Sequence, residues 1–402
     1  MDKTRLLIVS ASLAQGGNER WIFEICKALD KEKFEIGILC NKDYSNAGRE
    51  QSFYNFYQDK LEKLNVALYK YLDVSKQTLW KRGTNKLKRI INKNFYQGVN
   101  TVNKEIRNLL KEYDVICVID YYNYFSVKEA LHKFCEGKFF VLLHTHKVQL
   151  DFDLYNLHFD RHRKYNFAYF APKQISEIAE SGFGIEKNSF FYAPLVLDLS
   201  SYPNLFNPIE ADPIVISVFS RITKARPLEK ILEAFSKLQN KIKRQLNLNF
   251  YGEIIEDSYH QYLLQLAKTL EINDKSISFL GHALNIAQTI KKNRVNICWG
   301  LSNNAVIGYG SIEVEAMGVP SFYWDLDENV NLNDILLKQS GNSIIVHNKV
   351  DDFVAVNVEY LSSNKLLAEL SGDRREYVIK NHDISNRIEE FEDYIVALKN
   401  AN

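Results

Sequence analysis

Gly308 and Gly310 lead into GYGSIEVEAMGVPSF, an acidic and apolar helical pattern that ends at Gly318-Val319-Pro320. Glycine lets a backbone approach a ligand closely. A helix beginning at Ser311 presents N–H groups to an anion, and Glu313 stands one turn inside. The combination suits a nucleoside diphosphate, although capped helices with Gly-x-Pro exits also occur in plain α/β scaffold. A second stretch, SRITKARPLEKILEAF, places Arg221, Lys224 and Arg226 ahead of Pro227 at a helix start. Three cations at the mouth of a parallel strand can neutralise a diphosphate and stabilise it as a leaving group. Gly16 and Gly17, in SASLAQGGNER, can admit a phosphate or a sugar hydroxyl to helix N–H groups, or can simply make a turn.

His144 and His146 follow an apolar run, and either can donate a hydrogen bond to a ligand or serve the structure alone. Alternate residues of a strand point to opposite faces and neither histidine has a Cys or carboxylate partner nearby in sequence, so no metal site is expected. The triplets Asp151–Asp153 and Asp325–Asp327 are read as surface carboxylates.

Positioning these groups requires a sheet whose strands end together. Short apolar, β-rich runs alternate with helical patterns over nearly the whole chain, which predicts doubly wound parallel α/β architecture. In the first half, strands are expected near Arg5–Val9, Phe34–Cys40, Val66–Tyr71, Asp114–Ile119, Lys138–Leu143, Phe167–Phe170 and Phe190–Ala193. In the second half they recur near Ile214–Phe219, Leu246–Tyr251, Ile277–Leu280, Val295–Trp299, Ser321–Tyr323 and Ser343–Val346. The stretch Leu197–Pro213 carries three of the seven prolines and reads as a linker. The expected organisation is therefore a domain at 1–200, a linker at 201–212, a second domain at 213–382, and a helix at 383–402 that crosses back onto the first. In open parallel sheets ligands collect at the carboxyl ends of strands, where the candidate loops lie.

With 402 residues, of which 46% are hydrophobic, the chain can build two cores. Lys plus Arg (51) and Asp plus Glu (50) nearly cancel, so no nucleic-acid partner is expected. The five cysteines, at 26, 40, 117, 135 and 298, form no C-x-x-C pair and read as reduced core thiols of a cytoplasmic protein. Neither a signal-peptide pattern nor an 18-residue apolar run is present. Residues 75–104 contain eight Lys or Arg and no Asp or Glu, and from Leu87 to Phe95 apolar residues fall at helical spacing. Such a segment suits the anionic surface of a membrane, or equally a solvated helix covering the first sheet. No G-x-G-x-x-G follows the first strand, which argues against a dinucleotide-dependent oxidoreductase.

Taken in order, GGNER, SRITKARPLEKILEAF, FLGH at Phe279–His282 and IEVEAMGVP at Ile312–Pro320 make the chain resemble glycosyltransferase family 4, the large retaining GT-B group. The resemblance implies two Rossmann-like domains facing across a cleft, with the second binding a nucleotide sugar and the first receiving the acceptor. It implies that Glu313 binds the ribose. Arg221, Arg226 and the Gly308, Gly310 and Ser311 backbone would hold the diphosphate. Gly16 and Gly17 would lie on the donor side of the first domain, with His144 at the transferred sugar. No cofactor and no metal are implied, because the arginines and the helix end take up the leaving-group charge. The expected activity is transfer of a sugar to a glycan or lipid-linked oligosaccharide, as in bacterial surface polysaccharide synthesis. Two departures stand out. Ala305 replaces a glutamate that the family carries eight residues before Glu313, and Arg226 stands where it carries lysine. The first altered position leaves open a non-catalytic module that binds a nucleotide or glycan and assists a partner.

Overall fold

The computed structural model describes residues 2–14, 16–40, 56–70, 104–143, 166–169, 190–200, 202–283, 285–302, 308–325, 344–346 and 349–401. The described chain forms two compact units, one of residues 1–198 with 384–402 and one of 199–383.

The first unit contains β1 (Thr4–Ser10), α1 (Gly17–Ala28), β2 (Phe34–Cys40), α2 (Gln58–Glu62), β3 (Ala67–Lys70), α3 (Lys104–Glu112), β4 (Val115–Ile119), α4 (Tyr121–Phe134), β5 (Phe139–Leu143), β6 (Asn166–Tyr169) and β7 (Phe190–Tyr192). Its strands are all parallel, in the order β3-β2-β1-β4-β5-β6-β7. Strands buried on both faces lose the polar alternation of a half-exposed sheet, and VICVI of β4 and FFVLL of β5 are buried at every position.

The second unit contains β8 (Ile214–Phe219), α5 (Glu229–Lys241), β9 (Leu246–Tyr251), α6 (Asp257–Thr269), β10 (Ile277–Phe279), α7 (Ile286–Asn293), β11 (Ile297–Ser302), α8 (Tyr309–Ala316), β12 (Ser321–Asp325), β13 (Ile344–Val346), α9 (Val350–Leu361) and α10 (Asn364–His382). Its parallel strands run β10-β9-β8-β11-β12-β13. This is the Rossmann order, and the direction of winding reverses between β8 and β11. The core on one face gathers Trp299, Trp324, Phe235 and Phe353, each fully buried. Burying a side chain such as Phe353 stabilises by about 1.5–3 kcal/mol. Trp299 does so without stranding its indole N–H, which donates to Asn357 Oδ1 at 2.8 Å.

All thirteen expected strands are found within a few residues of where their apolar runs placed them. The proline-bearing segment before β8 lies along the second unit. Leu205 N–H donates to the Met317 carbonyl at 2.7 Å, and Ile209 N–H donates to Asn364 Oδ1 at 2.8 Å.

The last helix, α11 (Ile388–Asn400), belongs to the first unit, which gives the expected crossing back. Aromatic packing holds it: Tyr394 stacks on Phe191 with centroids 4.4 Å apart, and Phe391 meets Trp21 edge-on at 5.6 Å. Polar contacts fix its register. Glu392 accepts from the Asp30 N–H and from Lys33, both at 2.9 Å. Cys26, Cys117, Cys135 and Cys298 are buried and unbridged, and burial pushes the Cys26 thiol up to about 12 and the Cys135 thiol up to about 11. Thiols so placed are unreactive packing groups.

The exit of α8 shows why Gly318 is required. Val319 N–H reaches back to the Val314 carbonyl and Gly318 N–H to that of Glu315, a Schellman closure whose turning residue has φ +69°. A Cβ there would sit 2.4 Å from Asn204 Oδ1. Gly318→Ala is expected to cost about 1–3 kcal/mol, from left-handed strain and crowding together, read as a lower denaturation midpoint.

Candidate functional site

In the second unit β8 and β11 are neighbours, so the loop after β8 and the helix after β11 leave the sheet side by side. The loop carries Arg221 and Arg226, and α8 starts against the end of β8: a methyl on Gly310 would come 3.7 Å from Phe219 Cβ. Among the described residues neither guanidinium is ion-paired. Burial, and then the charge of Arg221, pull Arg226 below the usual arginine range, so two like charges sit together and one of them is partly desolvated. A folded chain leaves such a pair uncompensated only at a cost, and an anion placed between them would remove that cost. Arg221 and Lys224 are exposed.

The helix opposite differs from expectation in its start. α8 begins at Tyr309 with Gly308 as its cap, two residues earlier than Ser311, because the Gly308 carbonyl already takes the Ser311 and Ile312 N–H groups at 3.0 and 3.1 Å. Ser311 therefore lies within the first turn, and its side chain makes no cap. The anion-facing end moves forward to Tyr309 and Gly310.

The two glutamates of α8 have separate fates. Glu315 is wholly buried: Tyr323 donates to one carboxylate oxygen and Arg374, from α10, to the other, each at 2.5 Å. Burial alone would lower the Arg374 guanidinium, and the charge and hydrogen bond of Glu315 together with Tyr323 and Tyr377 more than reverse this, holding it above its usual value. Glu315 is thus committed to the core. Glu313 lies on the flank, where its Oε1 accepts from the Tyr202 hydroxyl at 2.6 Å.

In the first unit winding reverses between β1 and β4, and Gly16 is the N-cap of α1 there. The carboxylate of Glu19 folds back over this end. Its Oε1 accepts from the Ser12 hydroxyl at 2.5 Å, and its other oxygen would lie 2.3 Å from any Cβ placed on Gly16. A side chain at position 16 would therefore collide with the Glu19 carboxylate, which lies over the start of α1. The Glu19 carboxylate, bonded to its own backbone N–H, already brings negative charge to this helix start. Burial raises the Glu19 pKa from its ordinary 4.5, against the opposing hydrogen bond from Ser12. The folded chain thus binds this proton more tightly than the unfolded chain. The penalty is full above the raised pKa and fades as pH falls toward 4.5. Glu19→Gln is accordingly expected to be more stable than the natural chain at pH 7, with the advantage shrinking on acidification, as followed by thermal melts across pH.

His144, Ala305, Asp151–Asp153, Asp327 and the basic stretch 75–103 lie outside the described residues. Among the described residues no three His, Cys, Asp or Glu side chains gather into a metal-binding group, and no helix is long and apolar enough to cross a membrane. Sequence reading missed Glu19, which the spacing Gly16-x-x-Glu19 signals. It also missed Glu256 and Tyr259, at the start of α6, which only packing reveals.

No protein-family model matches this sequence, and no curated protein matches it. Solved structures do match in fold. A glycosyltransferase from Rickettsia africae ESF-5 superposes with a TM-score of 0.69 at 15% identity, covering 100% of both chains. The fold is that of the GT-B glycosyltransferases. Anabaena HepE in complex with UDP-glucose matches at 0.68 and 12% identity, over 98% of this chain and 99% of that one. Sucrose-phosphate synthase from Thermosynechococcus elongatus matches at 0.68 and 12%, over 100% of both chains.

Proposed function

We propose that this chain is a glycosyltransferase that moves a sugar from a nucleoside diphosphate sugar to a hydroxyl of a glycan or lipid-linked acceptor, with retention of configuration. The observation that carries the reading is the couple Arg221 and Arg226, without an ion-pair partner among the described residues, at the reversal point of the second sheet beside the first amides of α8. HepE, of the same fold, holds UDP and UDP-glucose. As the bond from sugar to phosphate breaks, negative charge grows on the diphosphate. Arg221, Arg226 and the helix end at Gly308, Gly310 and Ser311 would take it up. Glu313 is the assigned ribose ligand, since both carboxylate oxygens of Glu315 are occupied. His144 is assigned to the transferred sugar, and Gly16 and Gly17 to the donor side of the first domain. The Glu19 carboxylate at that helix end leaves them suited to a neutral sugar hydroxyl rather than to phosphate. Membrane contact through 75–104, bringing the protein to a lipid-linked acceptor at the inner face, completes the proposal.

Calorimetric titration with uridine, guanosine, adenosine and thymidine diphosphates tests it, followed by transfer assays with the nucleotide sugars of whichever base binds. Binding with turnover supports the enzyme. Absence of affinity for all four overturns the reading.

A further inference from the structure

Two like-charged side chains five residues apart will drift apart unless the loop between them is held. Backbone bonds hold its entrance, Ile222 N–H to the Glu253 carbonyl at 2.9 Å and Ile255 N–H to the Ile222 carbonyl at 3.0 Å, and two side chains at the start of α6 hold the rest. Glu256, the residue before α6, accepts from the Thr223 hydroxyl at 2.5 Å and from the Lys224 N–H at 3.1 Å. Tyr259, one helical turn on, is buried, and its phenol oxygen accepts the Leu228 N–H at 2.8 Å. The single phenol proton is shared between the Arg226 carbonyl, 3.0 Å away, and the Glu229 carboxylate. The two side chains thus grip the basic loop at both ends, Thr223 and Lys224 on one side and Arg226 to Leu228 on the other. The Tyr259 ring packs in the core with Leu263 and Ala267, and its hydroxyl is the part that serves the loop.

We infer that Tyr259 is a positioning residue for the phosphate site: with Glu256 as the second jaw, it fixes the backbone of Arg226 so that the guanidinium pair is assembled before the ligand arrives. This rests on the diphosphate reading of the loop and extends it. A loop ordered during folding need not be ordered on binding, and that saving appears as affinity. The clamp acts through Arg226, so its effect must disappear when the arginine is gone.

The test is a calorimetric double-mutant cycle on the full chain, using UDP and inorganic pyrophosphate as probes, with Tyr259→Phe, Arg226→Ala and the pair together. Tyr259→Phe is expected to weaken both probes about tenfold and to cost nothing further in the Arg226→Ala background. Thr223→Val removes a hydroxyl from the opposite jaw and is expected to weaken both probes in the same sense. It keeps the test intact should the tyrosine variant fail to fold. Unchanged binding in folded Tyr259→Phe or Thr223→Val overturns the clamp and leaves the diphosphate reading standing, as does a loss that adds in full to that of Arg226→Ala. A natural chain that binds neither probe overturns both.

Discussion

Replacing Arg374 with alanine is expected to cost the second unit about 3–5 kcal/mol. Arg374 and Glu315 are 1% and 0% exposed, and they meet at 2.5 Å with the Tyr323 hydroxyl as third member. Removing the guanidinium leaves a carboxylate in the core with one hydrogen bond and no counter-charge. Two charges buried together are costly to desolvate, so the pair is not itself a large net gain. The asymmetry lies in breaking it. The double replacement Arg374→Leu with Glu315→Leu is therefore expected to recover most of the loss. For a unit of this size each kcal/mol moves the unfolding midpoint by about 2–4 °C, which differential scanning calorimetry resolves. A double variant no more stable than Arg374→Ala would show that the cavity, and not the stranded charge, sets the cost.

Arg226→Ala is expected to weaken nucleoside diphosphate binding roughly ten- to a hundredfold, as loss of a charge-assisted contact does. Without ligand, the same variant is expected to be no less stable than the natural chain. Burial and Arg221 both disfavour the Arg226 charge, so deleting it removes a repulsion. Loss of affinity with no loss of stability marks a group retained for binding. Arg226→Lys keeps the charge without the planar fork and is expected to fall between the two. Affinity unchanged in the alanine variant would remove the arginine from the site.

The strands were legible because parallel strands in a two-faced sheet must be apolar throughout. VICVI and FFVLL can hardly be anything else at those lengths. The loops that hold Arg221 and Arg226 were legible too, since their placement follows from strand ends. What sequence could not settle was which of two glutamates is spoken for. Glu313 and Glu315 are two residues apart in one helix, and the decision is made by Arg374, 59 residues beyond Glu315. The start of α8 was misplaced for a smaller reason. Serine suggests a cap, but the Gly308 carbonyl accepts the first helical hydrogen bonds, so Ser311 has no capping to do. Glu19 was visible as a letter, but its return over Gly16 depends on Ser12 and on the depth of the pocket around it.

Because residues 384–402 complete the unit that residues 1–198 begin, the order of synthesis and the order of completion are opposed. The ribosome delivers everything needed for the middle 185 residues, 199 to 383, before it delivers the final helix that covers Trp21, Phe140 and Phe191. The portion translated first is the portion finished last. Until that helix emerges, its nascent aromatic surface has no lid.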